Sequence, residues 1–362
     1  MTDRSQPADS PRVVRGMPTL SQRERDILSA IVRQFVLTAN PVGSRQLSRK
    51  QAFNLSPATI RNVMADLEEM GLLCHPHTSA GRVPSDLGYR MYVNDLMESR
   101  DLSPEEREAI AREYDGVSHE LDEIMAATAR VLSTATKLLA IVLVPNLDDA
   151  VLHRIDLVRV SENRVLVVIS LDAGPVKTIM VELEQVIAED QLKLIAQAVN
   201  RRLAGLTMAQ VRAQIGDRIG DLPTHYPGLV RFFVDSAERL FSFTDREEMK
   251  IGGRAEVLSQ PEFSRPESMR GIIELIEDKD IIFHLLHKDA GEERVSISIG
   301  SENPDARAKD LSVITSSYYT PTASGKFGVI GPTRMEYSRL KSLLEFTARM
   351  VSGHLSGNPS NK

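Results

Sequence analysis

One segment near the N-terminus constrains the fold most strongly, because both ends of a helix can be recognised in it. Residues 56–71 read SPATIRNVMADLEEMG. Ser56 can cap the first turn, and Pro57 suits the first helical position, where no backbone N–H is needed. Gly71 can end the helix, since glycine tolerates a positive φ. Apolar residues at helical spacing form one face, made of Ile60, Val63, Met64 and Leu67. The segment therefore predicts an amphipathic helix whose opposite face is polar.

The flanking residues predict two more helices and a hairpin. Ser21 and Glu24 have the spacing of a capping box, and helical periodicity follows from Ser21 to Thr38. Asn40-Pro41-Val42-Gly43 breaks that helix, and a second short helix is expected over residues 44–50. After the third helix, residues 77–84 form a basic, glycine-containing loop. Three helices followed by such a hairpin are typical of a winged helix-turn-helix, which presents its third helix to a major groove.

Charge is distributed unevenly along the chain, and its placement supports this interpretation. Residues 12–61 contain nine basic side chains against two acidic ones, a net charge of +7, whereas the whole chain carries −6. The basic residues are Arg12, Arg15, Arg23, Arg25, Arg33, Arg45, Arg49, Lys50 and Arg61. A local basic block on an acidic protein is the electrostatic pattern expected of a phosphate-binding surface. A chance cluster on a solvated helix face is the simpler alternative.

Ten residues are candidates for DNA contact, in three groups, and we expect about half of them to touch DNA. Helix starts would hold phosphates, the third helix would read the major groove, and the wing would reach the backbone or minor groove. The groups are Ser44, Arg45 and Ser56; Thr59, Arg61, Asn62 and Ala65; and His77, Ser79 and Arg82. Arg61 could pair with guanine and Asn62 with adenine through bidentate hydrogen bonds. For each residue, a phosphate contact or plain solvent exposure is the alternative.

Length and composition limit the class of protein. A chain of 362 residues has room for two or three domains, and no apolar run approaches the ~18 residues of a membrane span. The polar, proline-containing residues 1–16 lack the apolar core of a signal peptide and are expected to form a disordered arm. The single cysteine, Cys74, excludes internal disulfides and fits a reducing cytoplasm.

Motifs for metal binding and catalysis are weak or missing. Cys74-His75-Pro76-His77 offers ligand types for zinc, but a structural zinc site needs four ligands, and the chain contains no second cysteine. Gly325-Lys326-Phe327-Gly328 lacks the spacing of a phosphate-binding loop, and neither GxSxG nor HExxH occurs. We therefore expect no metal, no cofactor and no catalytic residues, so the protein is not expected to be an enzyme.

Beyond the wing, periodicity predicts an α+β arrangement. A linking helix is expected over Asp86 to Arg100, helical structure from Ser103 to Thr136, and helices at 188–206, 227–243, 268–277 and 335–354. An antiparallel meander is predicted from the Val-, Ile- and Leu-rich segments 139–144, 152–160, 164–171 and 175–183, and later strands at 281–286, 295–299, 311–318 and 325–330. Strands thus flank a mostly helical segment.

This pattern fits either three tandem domains or one α+β domain interrupted by an insertion. The insertion is favoured, because strands on both sides need each other to complete a sheet of normal size. The expected divisions are an arm at 1–16, a winged-helix domain with its linking helix at 17–100, the first part of the α+β domain at 101–187, the insertion at 188–260, and the second part of the α+β domain, with a C-terminal helix and a flexible tail, at 261–362.

The chain resembles the heat-inducible transcription repressor HrcA family of bacteria. Near the N-terminus the resemblance rests on LSPATIRNVMADLEEMG and PHTSAGRVPSDLGYRMYVNDL, and near the C-terminus on SISIGSEN, LSVITSSY and GVIGPTRMEY. It extends from about Thr19 to Leu355 and is loosest over 188–260. Ser85 stands where the family often has threonine, which retains a hydroxyl, and the arm at 1–16 is unlike a minimal member.

The resemblance implies a winged-helix domain followed by a GAF-like domain that carries an inserted dimerisation domain. It also implies a homodimeric repressor of chaperone operons in the heat-shock stress response. That repressor would bind double-stranded DNA at an inverted-repeat operator, CIRCE, and depend on the GroE chaperonin. A metabolite-sensing winged-helix repressor is the alternative, with Gly325, Gly328 and Gly331 bordering a ligand pocket in the GAF-like domain. Tight turns are the simpler explanation of these glycines.

Overall fold

The computed structural model describes residues 17–49, 55–76, 81–117, 120–145, 147–172, 176–183, 186–222, 227–241, 249–287, 294–320 and 323–356. The chain divides into two compact units, Met1–Glu98 and Ser99–Lys362, which are described separately. The predicted arm at 1–16, the predicted tail beyond residue 356 and the wing residues 77–80 lie outside the described residues.

The first unit has the helix order that the capping signals predict. Its elements are α1 (Gln22–Thr38), α2 (Ser44–Arg49), α3 (Pro57–Glu69), β1 (Leu73–Cys74), β2 (Val83–Pro84) and α4 (Asp86–Met91), followed by a π-helical turn over Tyr92–Leu96. The capping box at the start of α1 is confirmed, and Ser56 caps α3 as expected. The predicted linking helix is shorter than expected, because Met97 is extended at φ −78° and ψ 118° and ends it before Arg100.

A single small core holds this unit together. The fully buried side chains include Ile27, Leu28, Ile31 and Val32 of α1, Leu47 of α2, and Ile60 and Leu67 of α3. β1 and β2 pair antiparallel as the wing, and Val42 forms an isolated bridge with Arg82 beside it. The helices therefore bury one face each, which leaves the other face of α3 outward.

The second unit is α+β. Its helices are α5 (Pro104–Arg112), α6 (Leu121–Thr136), α7 (Glu189–Leu203), α8 (Met208–Ile219), α9 (Pro227–Asp235), α10 (Ala237–Phe241), α11 (Arg254–Leu258), α12 (Pro266–Glu277), α13 (Lys279–His287) and α14 (Tyr337–Leu355). Its strands are β3 (Leu139–Leu143), β4 (Leu152–Arg159), β5 (Arg164–Leu171), β6 (Val176–Glu182), β7 (Met249–Gly252), β8 (Val295–Ile299), β9 (Leu311–Tyr319) and β10 (Ser324–Pro332).

The larger sheet is antiparallel and has the order β7-β3-β10-β9-β8. Leu139, Ile141 and Leu143 of β3 join a core cluster with α11, α12 and α13, while α6 packs on β3 and α14 on β9. All five residues of β3 are buried, so the strand reads as a continuous apolar run rather than an alternating one.

β4, β5 and β6 form a separate three-stranded antiparallel sheet. α7 packs on β4, and the Asn200 side chain bonds both backbone groups of Ile155 at 2.8 Å. β3 and β7 are neighbours in the larger sheet, so the chain between them is inserted within one sheet. The expectation that residues 139–144 belong to the meander is wrong, because β3 pairs with β10 and β7 instead. The change of sheet therefore falls between β3 and β4.

Three other expectations need correction. Residues 281–286 are helical within α13, not a strand, and the buried residues Ile281, Ile282, Leu285 and Leu286 recur at helical spacing. A short apolar run fits either structure by periodicity, so only its packing distinguishes them. The helix expected over 227–243 is divided into α9 and α10, and the helical stretch from Ser103 to Thr136 is divided into α5 and α6.

Candidate nucleic-acid interface

The outer face of α3 presents the two side chains predicted to read bases. Arg61 and Asn62 are exposed, whereas Thr59 and Ala65 are half-buried beside them. The opposite face of the helix is buried in the core of the unit. Burial of Arg61 and Asn62 would have excluded a groove-reading role. Instead, α3 can offer a guanidinium and a carboxamide to the base edges of a duplex.

The two serines predicted to hold phosphates differ in exposure. The Ser56 hydroxyl accepts the Thr59 backbone N–H at 3.1 Å and lies 2.9 Å from the Thr59 hydroxyl. Ser56 remains exposed at the start of α3, next to the free N–H groups of the first turn. Ser44 is the first residue of α2 and is only 9% exposed, so its hydroxyl is poorly placed for a phosphate. The adjacent Arg45 is exposed.

Five basic residues of this unit separate into two groups. On α1, Arg25 donates to the Asp95 carbonyl at 3.0 Å, and Arg33 lies 3.1 Å from the Glu98 carboxylate. These two side chains therefore join α1 to residues 95–98, at the C-terminal end of the unit. In the part of the chain that the structure describes, Arg45, Arg49 and Arg61 are exposed and take part in no ion pair or side-chain hydrogen bond. They are the cations of α2 and α3 that remain available to a phosphate. Sequence reasoning could not distinguish the two groups.

The wing places its predicted contact residues differently. His77 and Ser79 lie outside the described residues. Arg82 Nη2 lies 2.7 Å from Glu68 Oε2, and the side chain of Arg82 is only 17% exposed. The same carboxylate meets His75, whose Nδ1 is 2.5 Å from Glu68 Oε1. Glu68 was not identified from the sequence, because it looks like any acidic residue in the last turn of a helix.

Several residues of the GRVPSDLG segment have structural roles. The Ser85 hydroxyl accepts the Gly88 N–H at 3.1 Å as the cap of α4, and donates to the Gly71 carbonyl at 2.6 Å. The backbone N–H of Ser85 donates to the Leu72 carbonyl at 3.1 Å. A Cβ at Gly88 would lie 2.0 Å from that same carbonyl oxygen, and a Cβ at Gly81 would lie 2.4 Å from the Val42 carbonyl oxygen. This segment therefore fixes the wing to the helices through close backbone packing.

The sole cysteine of the chain lies in the wing. Cys74 is exposed and free of a disulfide, but partial shielding of its thiol, together with the charges of Glu68 and Asp86, raises its pKa. Within the described residues, no three His, Cys, Asp or Glu side chains come together as a possible metal site. None of the described helices is long and apolar enough to span a membrane.

The glycines proposed to border a ligand pocket instead allow close packing in the larger sheet. A Cβ at Gly325 would lie 2.3 Å from the Tyr318 ring, and one at Gly328 would lie 2.6 Å from the Ile314 carbonyl oxygen. A Cβ at Gly331 would lie 2.5 Å from the Leu138 side chain. These positions are filled by protein atoms, which accounts for the glycines without a ligand.

Comparisons with known proteins show which family the chain is similar to. Residues 122–340 match the family model described as the HrcA protein C-terminal domain. The heat-inducible transcription repressor HrcA of Chlorobium phaeobacteroides (strain BS1) is 39% identical over 348 residues, which cover 93% of this chain and 99% of that protein. The protein of the same name from Geobacter sulfurreducens is 36% identical over 342 residues, which cover 94% of this chain and 100% of the relative.

A solved structure shares the fold. It is a crystal structure of a hypothetical protein, which superposes with a TM-score of 0.71 at 22% identity and covers 94% of this chain and 99% of its own. The family model matches more than half of the chain, and the relatives above match almost their whole length. On these grounds, the chain belongs to the heat-inducible transcription repressor HrcA family.

Proposed function

We propose that this protein is a heat-inducible transcriptional repressor that binds, as a homodimer, the inverted-repeat CIRCE operator of chaperone operons. α3 would enter the major groove, with Arg61 on guanine and Asn62 on adenine, while Thr59 and Ala65 lie against the same groove. Arg45, Ser56 and the backbone at Ser44 would hold phosphates, and the wing around His77 and Ser79 would reach the flanking backbone. The relatives, which are named as transcription repressors, support the general role.

One observation carries the proposal. Arg61 and Asn62 are exposed together on a helix whose other face is buried, and no described residue engages Arg45, Arg49 or Arg61. Exposed guanidinium groups beside a polar helix face make a locally positive surface, which attracts a polyanion. A phosphate backbone supplies the missing counter-charge.

An inverted repeat requires two readers related by two-fold symmetry. We assign the dimerising contacts to the inserted segment, and the surrounding sheet and helices to a GAF-like domain. The insertion between the neighbouring strands β3 and β7 supports this division, and it favours extending the inserted segment back from residue 188 to β4. Under this division, the homodimer would separate when the inserted segment unfolds, while the larger sheet stays folded.

Temperature control needs no ligand under this proposal. A repressor of marginal stability loses folded dimer as temperature rises, and the GroE chaperonin would restore it. During heat stress unfolded proteins occupy the chaperonin, so less active repressor remains and chaperone genes are transcribed. We prefer a chaperone-dependent repressor to the metabolite-sensing alternative, because the glycines proposed to border a ligand pocket pack against protein atoms.

The DNA-binding part is tested by footprinting and fluorescence anisotropy with a duplex that carries an inverted repeat, over a range of salt concentrations. We expect selective binding as a dimer and a steep decrease in affinity as salt rises, because released counterions drive the association. Equal affinity for a scrambled duplex of the same composition would refute operator recognition. Sedimentation of the complex gives the number of protomers per duplex.

The chaperonin part needs a separate experiment. Purified protein is unfolded by heat, cooled with or without GroE and ATP, and assayed for operator binding. We expect a larger active fraction with the chaperonin. If recovery is the same in both samples, the feedback mechanism is wrong, although operator binding itself would stand.

A further inference from the structure

The wing is joined to the end of α3 by a single carboxylate. Glu68 Oε1 lies 2.5 Å from His75 Nδ1, and Glu68 Oε2 lies 2.7 Å from Arg82 Nη2. His75 directly follows β1, and Arg82 directly precedes β2, so one side chain of the helix contacts the residues that adjoin both strands on the loop side of the hairpin. We refer to Glu68, His75 and Arg82 as the Glu68 clamp.

Arg82 also joins this clamp to the segment before α2. Its backbone N–H donates to the Val42 carbonyl at 2.9 Å, and its carbonyl accepts the Val42 N–H at 2.8 Å. A Cβ at Gly81 would lie within 2.4 Å of the Val42 carbonyl oxygen, so this approach requires a glycine before Arg82. Arg82 therefore links the wing both to the segment before α2 and to α3.

The guanidinium of Arg82 is directed into the protein rather than toward solvent. Its side chain is 17% exposed, and its Nε is buried with no hydrogen-bond partner among the described residues. The carboxylate of Glu68 compensates its charge at short range, and a charge-assisted pair of this geometry is stronger than a neutral hydrogen bond. Little of the Arg82 side chain is therefore open to a phosphate while it is paired with Glu68.

We propose that Glu68 is a positioning residue for DNA binding, which holds the wing at a fixed angle to α3 through Arg82 and His75. Arg82 then contributes to operator affinity through the geometry of the wing and makes no phosphate contact. This inference rests on the proposed DNA-binding function. It extends that function, because an acidic residue, Glu68, would then increase the affinity for DNA.

The direction in which removal of Glu68 changes operator affinity distinguishes a positioning role from a direct phosphate contact by Arg82. A carboxylate close to DNA ordinarily repels the phosphates, so its removal strengthens binding. If Arg82 were a direct phosphate contact, removal of Glu68 would release it and strengthen binding further. If Glu68 positions the wing, its removal weakens operator binding although the protein becomes less negative.

The test uses the full chain with four variants, Glu68→Gln, Arg82→Gln, the double variant, and Glu69→Gln as a matched control. Glu69 is the next residue of α3, is exposed, and forms no ion pair among the described residues, so its replacement makes the same charge change without touching the clamp. Affinity for the inverted-repeat duplex and for a scrambled duplex is measured at several salt concentrations. Far-UV circular dichroism and the unfolding midpoint report whether each variant is folded.

We expect Glu68→Gln and Arg82→Gln each to weaken operator binding about three- to tenfold, the net scale of one ordinary hydrogen bond. The double variant should be no weaker than the weaker single variant, because both changes remove the same contact. The slope of log affinity against log salt should be unchanged in Arg82→Gln, since a lost phosphate contact would reduce it by about 0.9. Glu69→Gln should bind as tightly as the wild type or more tightly.

Operator binding by Glu68→Gln that equals or exceeds the wild type overturns the proposal, as does a salt slope reduced by about one in Arg82→Gln. If Glu68→Gln does not fold, the salt slope of Arg82→Gln still decides between positioning and direct contact. Failure of the proposed function is distinguishable, because the wild type and Glu69→Gln would then fail to prefer the inverted repeat over the scrambled duplex.

Discussion

At the scale of single residues, the tertiary structure separates basic side chains that look alike in the sequence. Arg33 is 48% exposed and pairs with Glu98, while Arg61 is exposed and no described residue engages it. Both are arginines on amphipathic helices within the same basic block. The difference arises because Asp95 and Glu98, at the end of the unit, lie beside this edge of α1, whereas no described residue pairs with Arg61 on the outer face of α3.

Replacement of Arg61 by alanine should weaken operator binding by about 1–3 kcal/mol and relax base preference at one position, if Arg61 reads a base. The measurement is anisotropy with a set of duplexes that carry single base changes. Arg33→Ala is the control and should weaken operator binding by less than about 0.5 kcal/mol. Arg33 already pairs with Glu98, and an exposed ion pair of this kind contributes little energy. Equal losses across all duplexes would make Arg61 a backbone contact instead.

The single thiol of the chain gives a chemical test of the environment of the wing. Partial burial, and then the charges of Glu68 and Asp86, raise the pKa of Cys74, so less thiolate is present at neutral pH. Iodoacetamide should therefore alkylate Cys74 more slowly than free cysteine, and Glu68→Gln should accelerate the reaction at the same pH. Mass spectrometry follows the modification without ambiguity, because the chain has one cysteine. A wild-type rate above that of free cysteine would contradict this environment.

At the scale of elements, backbone contacts decide where helices and strands can meet. α4 approaches the turn after α3 so closely that Gly88 has no room for a side chain, and Ser85 bonds the Gly71 and Leu72 carbonyls across the same contact. Glycine in a helix interior lowers helix stability by itself. Its presence in α4 is therefore explained by packing between elements, not by the preference of the helix.

Gly88→Ala should destabilise the first unit by about 1–3 kcal/mol, because its Cβ would overlap a backbone oxygen that cannot move independently. Gly43→Ala is the matched control, since no atom lies within 4 Å of a Cβ built there. Urea unfolding followed by far-UV circular dichroism measures both variants, and the chain has no tryptophan to follow by fluorescence. Equal stability of the two variants would show that α4 can shift without cost.

At the scale of the whole molecule, the charge of the basic block is offset elsewhere. Residues 12–61 carry +7 and the chain −6, so the remainder carries −13. In the second unit, ion pairs join elements that are distant in sequence. Glu106 of α5 completes the capping box with Ser103, and its carboxylate accepts from Arg339 of α14 at 2.7 Å. Arg339 also donates to the Ala135 carbonyl of α6, so three helices meet at one guanidinium.

This arrangement predicts a pH-dependent stability. The Ser103 backbone N–H and then Arg339 lower the pKa of Glu106, so its contribution is complete above its usual pKa of 4.5 and is lost as pH falls through the lowered value. Glu106→Gln should cost about 0.5–1.5 kcal/mol at neutral pH. The difference from the wild type should shrink as the medium is acidified below 4.5. Urea midpoints at a series of pH values measure this.

Glu108→Gln is the control for that series, because Glu108 is exposed on α5 and its carboxylate has no partner among the described residues. It should leave stability nearly unchanged at every pH. A difference between Glu106→Gln and the wild type that is constant from neutral to acidic pH would show that the ionised carboxylate does not stabilise the fold.

Much of the local structure could be predicted from the sequence. The capping boxes at Ser21 and Ser103, the Ser56-Pro57 start of α3 and the exposure of Arg61 and Asn62 all follow from residues within about four positions of each other. The family motifs also lie in short continuous segments. These signals depend on hydrogen bonds and side-chain faces inside one helix, so they are present in the sequence before any tertiary contact forms.

Only the tertiary structure decided which distant segments meet. The pairing of β3 with β7 across an inserted segment, the helical state of residues 281–286 and the Glu68 clamp each depend on contacts between different elements of the fold. A short apolar run can be buried as a helix or as a strand, and a carboxylate can pair with any guanidinium that packing brings near it. The sequence determines the residue types, but the packing of the core determines which residues contact one another.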